Sequence, residues 1–317
     1  MLLEELIEEE KDAVLAEVGY TRRQLDSDLE HMKGWLKLQH HLPPSRLTES
    51  NSFLKMYLAG CKGSLEKVKR KLDAYYTLRS HSELFDSRDP LDPDYVTMKY
   101  LTHYALISKL VNRKRFGFLK LAKVDQEKFD MMSYFRNLLS VAEIALRYEK
   151  NYGVAYCLLY DAKGATVSDH IMKLKPLQVK DLVYFAFQAV PFRFSNIFII
   201  NAPEYLAVAM NTLMIPLLSK KMKSRFQITA KGFEEVSQYF DKSVLPSDYG
   251  GDLPPLKELY VLQEKGQFQI MLLEELTEEQ KDAVLAEVGY TRRQLDSDLE
   301  HIKDWLKLQH HLPPSRL

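Results

Sequence analysis

Few residues in this sequence are arranged for catalysis. The sequence contains no Gly-rich phosphate loop, no nucleophile elbow and no zinc-binding His-Glu helix, and it has only 12 glycines. The pair His40-His41, repeated as His310-His311, could suggest a metal site. Adjacent residues at a helix end point apart, however, and no carboxylate or cysteine lies at ligand spacing. We therefore expect no metal, no cofactor and no catalytic centre.

Two single side chains could still do chemistry. Cys157 lies within an apolar run, where a small buried thiol is more common than a nucleophile with a neighbouring base. Asp161 directly follows a predicted strand, a position at which α/β enzymes often place a catalytic carboxylate. The sequence shows no partner for Asp161. A structural role in the turn is the favoured interpretation, and a catalytic role stays open as the alternative.

Large amphipathic side chains alternate along the predicted strand Val154–Tyr160. Because successive strand residues point to opposite faces of a sheet, Tyr156, Leu158 and Tyr160 share one face. The other face carries small or aliphatic side chains. The first face could therefore receive an apolar molecule, and the two tyrosine hydroxyls could bind its polar end.

The predicted helix over residues 203–223 combines an apolar stripe with a basic end. The stripe contains Leu206, Met210, Leu213, Met214 and Leu217. The basic end contains Lys220, Lys221, Lys223 and Arg225. Plain core packing is one interpretation of this stripe. Reversible docking on an anionic bilayer is the other, since an apolar face beside clustered lysines suits such a surface.

Apolar runs alternate with helical segments after residue 95, which indicates an α/β fold with a largely parallel sheet. Helices are predicted over 131–150, 177–188 and 203–223. The runs 154–160 and 194–200 are nearly continuous in apolar residues, so they should form central strands. The predicted strands are Phe116–Leu121, Val154–Tyr160, Phe194–Ile200 and Arg225–Thr229.

The N-terminal part reads as helical throughout. Helices are predicted over about 3–18, from a capping box at Thr21, from Ser52, and from a cap at Ser64. A segment rich in Pro and Asp, residues 81–95, separates this part from the α/β region. We therefore predict a helical unit over 1–85 and an α/β domain over 95–270.

The first 47 residues recur as residues 271–317, with only four differing positions. The favoured interpretation is a protein of residues 1–270 followed by the start of a second copy. The alternative is a functional additional helical segment. Without the two copies, residues 48–270 carry 24 acidic and 32 basic residues, an excess that favours anionic partners.

Composition limits the classes of protein that fit. The whole chain has 44 basic and 44 acidic residues, which argues against a strongly basic nucleic-acid binder. Two cysteines are too few for a disulfide framework and indicate a reducing compartment. There is no apolar run of about 18 residues and no signal-peptide pattern at the start. We expect a cytoplasmic monomer without nucleic acid as a partner.

Several motifs, in order between Trp35 and Leu256, resemble the CRAL-TRIO family. The Asp161-x-x-Gly164 turn fits this family. So do Pro191-Phe192-Arg193, Ile200-Asn201-Ala202-Pro203, Leu245-Pro246-Ser247-Asp248-Tyr249-Gly250-Gly251 and, in the helical part, Trp35-Leu36, Phe53-Leu54 and Tyr57-Leu58. The resemblance implies a chamber for one hydrophobic molecule, floored by the sheet and closed by a movable helix, the gate, over 203–223.

The resemblance also assigns site residues. It implies that the chamber is lined by Tyr156, Leu158, Tyr160, Leu182, Phe185, Ala186, Val190 and Ile197. The gate stripe described above would complete the lining. The resemblance further implies headgroup-binding positions for phosphoinositides at Arg193, Lys221 and Arg225. Lys223 lies at the same basic end of the predicted helix and is a further candidate. Cys61 replaces another basic position, with Lys62 beside it.

Two functions from different classes follow. The first is a non-enzymatic intracellular carrier of a retinoid, carotenoid, tocopherol-like molecule or phospholipid. Its gate would open during transient contact with anionic membranes that contain phosphoinositides. The second is a protein-interaction module of the same fold, such as a small GTPase or vesicle-trafficking regulator, that transfers no ligand.

Overall fold

The computed structural model describes residues 3–42, 51–86, 97–98, 101–121 and 129–260. The chain divides into one unit over Leu2–Leu256 and a second unit that includes the chain from Lys257 onward. In the second unit, the described residues 257–260 are helical. The duplicate over 271–317 and most of the predicted boundary segment lie outside the described residues.

The described N-terminal part is helical, as predicted. Its helices are α1 (Glu8–Glu17), α2 (Arg22–Lys37), α3 (Asn51–Gly60) and α4 (Leu65–His81). The capping box at Thr21 is confirmed. The Thr21 hydroxyl accepts a hydrogen bond from the Gln24 amide at 3.3 Å, and the Gln24 side chain accepts one from the Thr21 amide at 3.0 Å. Ser64 precedes α4 as predicted, but its side chain makes no capping hydrogen bond.

A five-stranded sheet follows, and its strands are ordered as in the sequence. They are β1 (Thr102–Val111), β2 (Lys114–Leu121), β3 (Ala155–Asp161), β4 (Arg193–Ile200) and β5 (Phe226–Ile228). β1 and β2 form an antiparallel hairpin, and all other neighbours are parallel. The predicted α/β fold with a mostly parallel sheet is therefore confirmed. β3 lies in the middle with β4 beside it, as their continuous apolar runs predict.

Helices of the α/β region accompany the sheet. They are α5 (Met131–Tyr148), α6 (Pro176–Tyr184), α7 (Glu204–Ala209) and α8 (Lys220–Lys223). The prediction of one continuous helix over 203–223 is wrong. After α7 the chain forms a π-helical turn, Met210–Met214, and a 3₁₀ turn, Ile215–Leu217, before α8 begins. Pro216 accounts for the break, because proline lacks the N–H that an α-helix needs and clashes with the preceding turn.

The helical part and the sheet share one core. Leu29, Tyr57 and Leu72 from the helices belong to the same apolar cluster as Phe185 and Ile199 from the α/β region. Each of these five side chains is at most 4% exposed. The N-terminal helices are therefore part of the packing that positions the sheet and its connections.

A buried ion pair ties the start of the chain to this core. Arg115 of β2 and Glu149 are both 0% exposed and form two hydrogen bonds, of 2.9 and 3.1 Å. The Asn151 side chain donates to Glu149 at 2.9 Å and to the Glu4 carbonyl at 2.7 Å. Arg115 also donates to the Glu4 carbonyl, at 3.3 Å. Such pairing is what makes a buried charge tolerable.

Glu4 also occupies the outer edge of β1. Its amide donates to the Ser108 carbonyl at 3.2 Å, and its carboxylate accepts from the Leu110 amide at 2.6 Å. β1 is an edge strand, so these groups would otherwise face outward unpaired by the sheet.

Candidate functional site

One face of the sheet is closed by aromatic packing. The ring of Phe240 lies 5.7 Å from Phe116, 5.8 Å from Phe118 and 5.8 Å from Phe198. Cys157, which lies beside Phe116 in the sheet register, is 1% exposed. This face is packed core.

The opposite face of β3, which we call the inner face, keeps accessible surface. Leu158 and Tyr160 are half-buried, whereas Leu159 between them is 1% exposed. Leu158 lies in register between Gly117 of β2 and Ile197 of β4. A Cβ atom at residue 117 would come within 2.7 Å of a Leu158 methyl group. Glycine at this position therefore leaves Leu158 its space.

Residues of α6 and the following π-helical turn (Phe185–Ala189) surround the same region. Leu182 and Ala186 are half-buried, and Phe185 and Val190 are each 1% exposed. Phe185 is fixed by aromatic neighbours, with ring centroids 6.1 Å away at Tyr75 and 5.5 Å away at Phe85. Partly buried side chains that pack against the common core include Tyr160, Leu182, Met210, Leu213 and Met214.

The predicted apolar stripe of the gate segment, residues 203–223, faces the core over most of its length and is exposed at its last residue. Leu206 is 7% exposed, and Met210, Leu213 and Met214 are half-buried against the core. Leu217, the last residue of the stripe, is 44% exposed. The π-helical and 3₁₀ turns change the rotation per residue, so spacing for a regular helix fails beyond Met214.

Tyr156 and Tyr160 occupy different surroundings, although both belong to the same face of β3. Tyr156 is 4% exposed, and its ring centroid lies 5.0 Å from that of Phe192. Burial and the nearby Glu149 carboxylate raise its pKa well above the ordinary value. Burial and the neighbouring Tyr134 raise the pKa of Tyr160 in the same direction. Tyr156 thus lies toward the buried ion pair, and Tyr160 toward α5.

The gate segment packs against the turn Val167–Ile171. Exposed apolar side chains lie within these two segments or next to them. Val208 is 59% exposed, Met172 is 78% exposed and Val167 is 44% exposed. The Tyr205 hydroxyl joins the two segments by donating to the Ala165 carbonyl at 2.7 Å. We call Val167, Met172, Val208 and Leu217 the outer apolar surface. Sequence reasoning missed Val167, Met172 and Val208, because none of them belongs to the predicted apolar stripe.

Basic side chains from three parts of the chain come together beside α8. Arg225, Lys62, Arg193 and Lys67 all lie close enough to Lys221 to lower its pKa, with Arg225 and Lys62 the strongest. We call these five residues the basic cluster. Arg193 donates to the Gly153 carbonyl and Arg225 to the Phe194 carbonyl, so both guanidinium groups are held in place.

The predicted headgroup residues are only partly gathered in this cluster. Lys223 is exposed on α8 and is not among the residues that lower the pKa of Lys221. Sequence reasoning missed Lys62 and Lys67, which belong to the α3–α4 region and approach Lys221 only through the fold. The positive φ of 54° at Lys62, directly after α3, directs the chain through this turn.

The sequence matches two known domains. Residues 111–251 match the CRAL/TRIO domain, and residues 21–95 match the Pinta-like, UBA domain. This part of the chain is similar to CRAL-TRIO domains. The matched range contains the whole inner face, the gate segment, and Arg193, Lys221 and Arg225.

Proteins of vertebrates are among the relatives of this chain. Clavesin-2 of Homo sapiens is 24% identical over 214 residues, which cover 66% of this chain and 64% of that protein. Clavesin-1 of Xenopus laevis is 23% identical over 214 residues, 66% of this chain and 63% of that protein. The chain thus spans just under two thirds of their length. The crystal structure of Sfh5 aligns with a TM-score of 0.47 and 11% identity over 83% of this chain and 99% of that chain.

Asp161 has a structural role in the CRAL-TRIO domain. Its carboxylate accepts hydrogen bonds from the Lys163 amide at 3.1 Å, the Asn201 side chain at 2.8 Å and the Tyr249 hydroxyl at 3.2 Å. Asp161 is 4% exposed. Three of the motifs singled out in the sequence are therefore joined at one buried carboxylate.

The cysteines of the described residues are buried and unreactive in character. Cys61 is 4% exposed and Cys157 is 1% exposed. Burial raises the pKa of each thiol to about 11. Thiolates, which are the nucleophiles, are therefore scarce near neutral pH. In the part of the chain that the structure describes, no group of three His, Cys, Asp or Glu residues could hold a metal ion.

A cleft of about 270 Å³ lies away from the inner face, among the N-terminal helices and residues 150–152. Its walls carry both signs of charge, and the charges pair with each other. Lys11 contacts Glu5 at 2.5 Å, and Lys55 contacts Asp26 at 2.7 Å. The cations of this cleft are therefore paired with carboxylates of the same walls, and this cleft carries no part of the proposals below.

Proposed function

We propose that this CRAL-TRIO protein binds one small hydrophobic molecule between the inner face and the gate segment. It carries this molecule between membranes and catalyses no reaction. The observation behind the proposal is the burial along β3, where Leu158 and Tyr160 keep accessible surface although Cys157 and Leu159 are sealed. Apolar burial contributes about 25 cal/mol per Å², so a lipid enclosed here would gain several kcal/mol.

The lining of this chamber would remain as predicted from the sequence, with one distinction. Tyr160 would meet the polar end of the ligand, because it keeps accessible surface on the inner face and its hydroxyl can donate or accept a hydrogen bond. Tyr156, which faces the buried Glu149 carboxylate, would support the floor. The candidate ligands are a retinoid, a carotenoid, a tocopherol-like molecule or a phospholipid.

Release and uptake would take place at an anionic membrane. The outer apolar surface would enter the interface, and the basic cluster would bind phosphate groups, including those of phosphoinositides. The break at Pro216 allows the gate segment to move in parts. No helix among the described residues is long and apolar enough to cross a bilayer. We place the protein in the cytoplasm as a monomer that visits membranes transiently.

Extraction of the purified protein with organic solvent, followed by mass spectrometry, tests the proposal. We expect one lipid per chain. Leu158→Trp should fill the chamber and abolish this lipid while the protein remains folded. Leu38→Trp is the matched control, since Leu38 is 72% exposed at the end of α2 and should leave the lipid unchanged. A wild-type protein without lipid, with no transfer between vesicles, would favour a protein-interaction module instead.

A further inference from the structure

Four successive backbone carbonyls, from Phe187 to Val190, accept hydrogen bonds from side chains of the N-terminal helices. The Lys71 amine of α4 donates to Phe187 at 2.9 Å, to Gln188 at 3.1 Å and to Val190 at 2.8 Å. The Tyr57 hydroxyl of α3 donates to the Ala189 carbonyl at 3.1 Å. Every carbonyl of this run thus has a side-chain donor.

The carbonyls lie where a helix leaves its acceptors without partners. The π-helical turn Phe185–Ala189 ends here, and the last carbonyls of a helical segment have no amide within the segment to pair with. A cation at this end is favourable, because the carbonyl dipoles point toward it. Lys71 and Tyr57, which belong to the N-terminal helices, therefore supply the hydrogen-bond donors that the end of this turn lacks.

The same stretch of chain supplies part of the proposed chamber. Phe185 and Ala186 belong to the turn, and Val190 directly follows it. The N-terminal helices approach closely as well, since a Cβ at Gly60 would clash with the Pro191 carbonyl. A shift of this stretch relative to α3 and α4 would move three predicted lining residues together.

We propose that Lys71, together with Tyr57, is a positioning residue of the ligand site, which holds the chamber wall at Phe185, Ala186 and Val190. This inference rests on the proposed function. It makes ligand retention depend on α3 and α4, although neither helix supplies a lining residue. Lys71 would not touch the ligand. It would act through the carbonyls of residues 187, 188 and 190.

Lys71 also has a pH response that a packing role alone would lack. Burial lowers its pKa to about 8, the nearby Cys61 raises it, and Arg70 lowers it further. The ammonium form has three N–H donors for three carbonyls, and the neutral amine has two. Cys61, with a pKa of about 11, and Tyr57, with a strongly raised pKa, do not titrate between pH 7 and 9.

The test measures how fast NBD-labelled phosphatidylcholine leaves the loaded full-length protein for acceptor vesicles. Lys71→Met should release the probe about tenfold faster at pH 7, which is the effect of losing charge-assisted hydrogen bonds. Lys71→Arg should restore slow release, since a guanidinium can donate to several carbonyls. Lys69→Met is the control on the same helix, because the Lys69 amine pairs with Glu66 and lies over Trp35, and it donates to no carbonyl of residues 187–190.

Further results separate the two proposals. In the wild type, release should accelerate between pH 7 and 9, and in Lys71→Arg it should stay flat. At pH 7, Tyr57→Phe should release the probe faster than the wild type does, but by a smaller factor than Lys71→Met. This variant tests the inference if Lys71→Met fails to fold. Equal release from wild type, Lys71→Met and Tyr57→Phe would overturn the role of Lys71. A wild type that never retains a lipid would instead defeat the proposed function and this inference with it.

Discussion

The side-chain amide of Asn201 donates a hydrogen bond of 2.8 Å to the carboxylate of Asp161, and this bond joins the ends of β3 and β4. Asn201 adopts a positive φ of 51° to reach this position. Tyr249, far along the chain, donates to the other carboxylate oxygen. Asp161, whose position in the sequence left a catalytic role open, therefore joins Asn201 and Tyr249 in holding one end of the sheet together.

Removing this carboxylate should destabilise the protein. Asp161→Ala leaves the donors of Asn201 and Tyr249 without their acceptor in a buried place, so the free energy of unfolding should fall by about 3 kcal/mol. Urea denaturation measures this change. Asp252→Ala, at an exposed carboxylate, serves as the control and should change stability little. A loss at Asp161 no larger than that of the control would contradict the structural role.

Adding one methyl group under Leu158 should reduce the capacity of the chamber. Gly117→Ala places a Cβ within 2.7 Å of a Leu158 methyl, and the flexible leucine end can move toward the inner face to avoid it. We expect less bound lipid with a stability loss of about 1 kcal/mol. Gly34→Ala provides the comparison, because a Cβ at Gly34 meets nothing within 4 Å. Unchanged lipid occupancy in Gly117→Ala would argue against a chamber beside Leu158.

Charge reversal in the basic cluster should weaken membrane binding. Each basic residue near an anionic surface contributes about 1 kcal/mol, so Lys221→Glu with Arg225→Glu should reduce association with phosphoinositide-containing vesicles by about tenfold or more. Lys62→Ala should produce a smaller loss. Co-sedimentation at low salt measures both effects.

The control for this charge reversal is Lys109→Glu with Lys242→Glu, which changes the net charge equally at two exposed lysines outside the basic cluster. An equal loss of binding in both double variants would indicate a response to net charge alone. Binding that both variants retain would rule out the cluster as a membrane site.

Asp248 should make stability sensitive to acid. Burial acts to raise its pKa, but the Leu256 amide and Lys120 outweigh it and hold the pKa below the ordinary 3.8. A lowered carboxylate pKa stabilises the folded state above about pH 4, and this contribution is lost as pH falls through the folded value. Asp248→Asn should therefore be less stable than wild type at pH 7, and the difference should shrink at pH 3. A difference that stays constant with pH would exclude this role of the charge.

Strong local patterns in the sequence predicted much of the fold. The apolar runs of β3 and β4 and the capping box at Thr21 depend on neighbouring residues, and all three are confirmed. β1 was missed because its hairpin turn uses Asn112 and Arg113 at φ values of 50° and 56°, without the glycine that usually marks such a turn. The break in the gate segment was missed although Pro216 is visible in the sequence, because the apolar stripe runs through it.

The candidate site was less accessible to sequence reasoning, because its parts come from distant segments. Lys62 and Lys67 approach Lys221 across more than 150 residues, and no local pattern encodes that approach. Helical spacing also grouped Leu217 with Met210, whereas the turns between them leave Leu217 exposed. The lining residues themselves remain predictions that the lipid and vesicle experiments test.

The hydrogen bonds between Glu4 and β1 affect how the protein behaves at high concentration. They fill positions at which a strand from another molecule could pair, and so they protect the sheet against intermolecular growth. Cleavage ahead of Ile7 would remove this protection, together with the Glu4 carbonyl that accepts hydrogen bonds from Arg115 and Asn151. Proteolytic removal of residues 1–6 should therefore increase the tendency of the protein to aggregate.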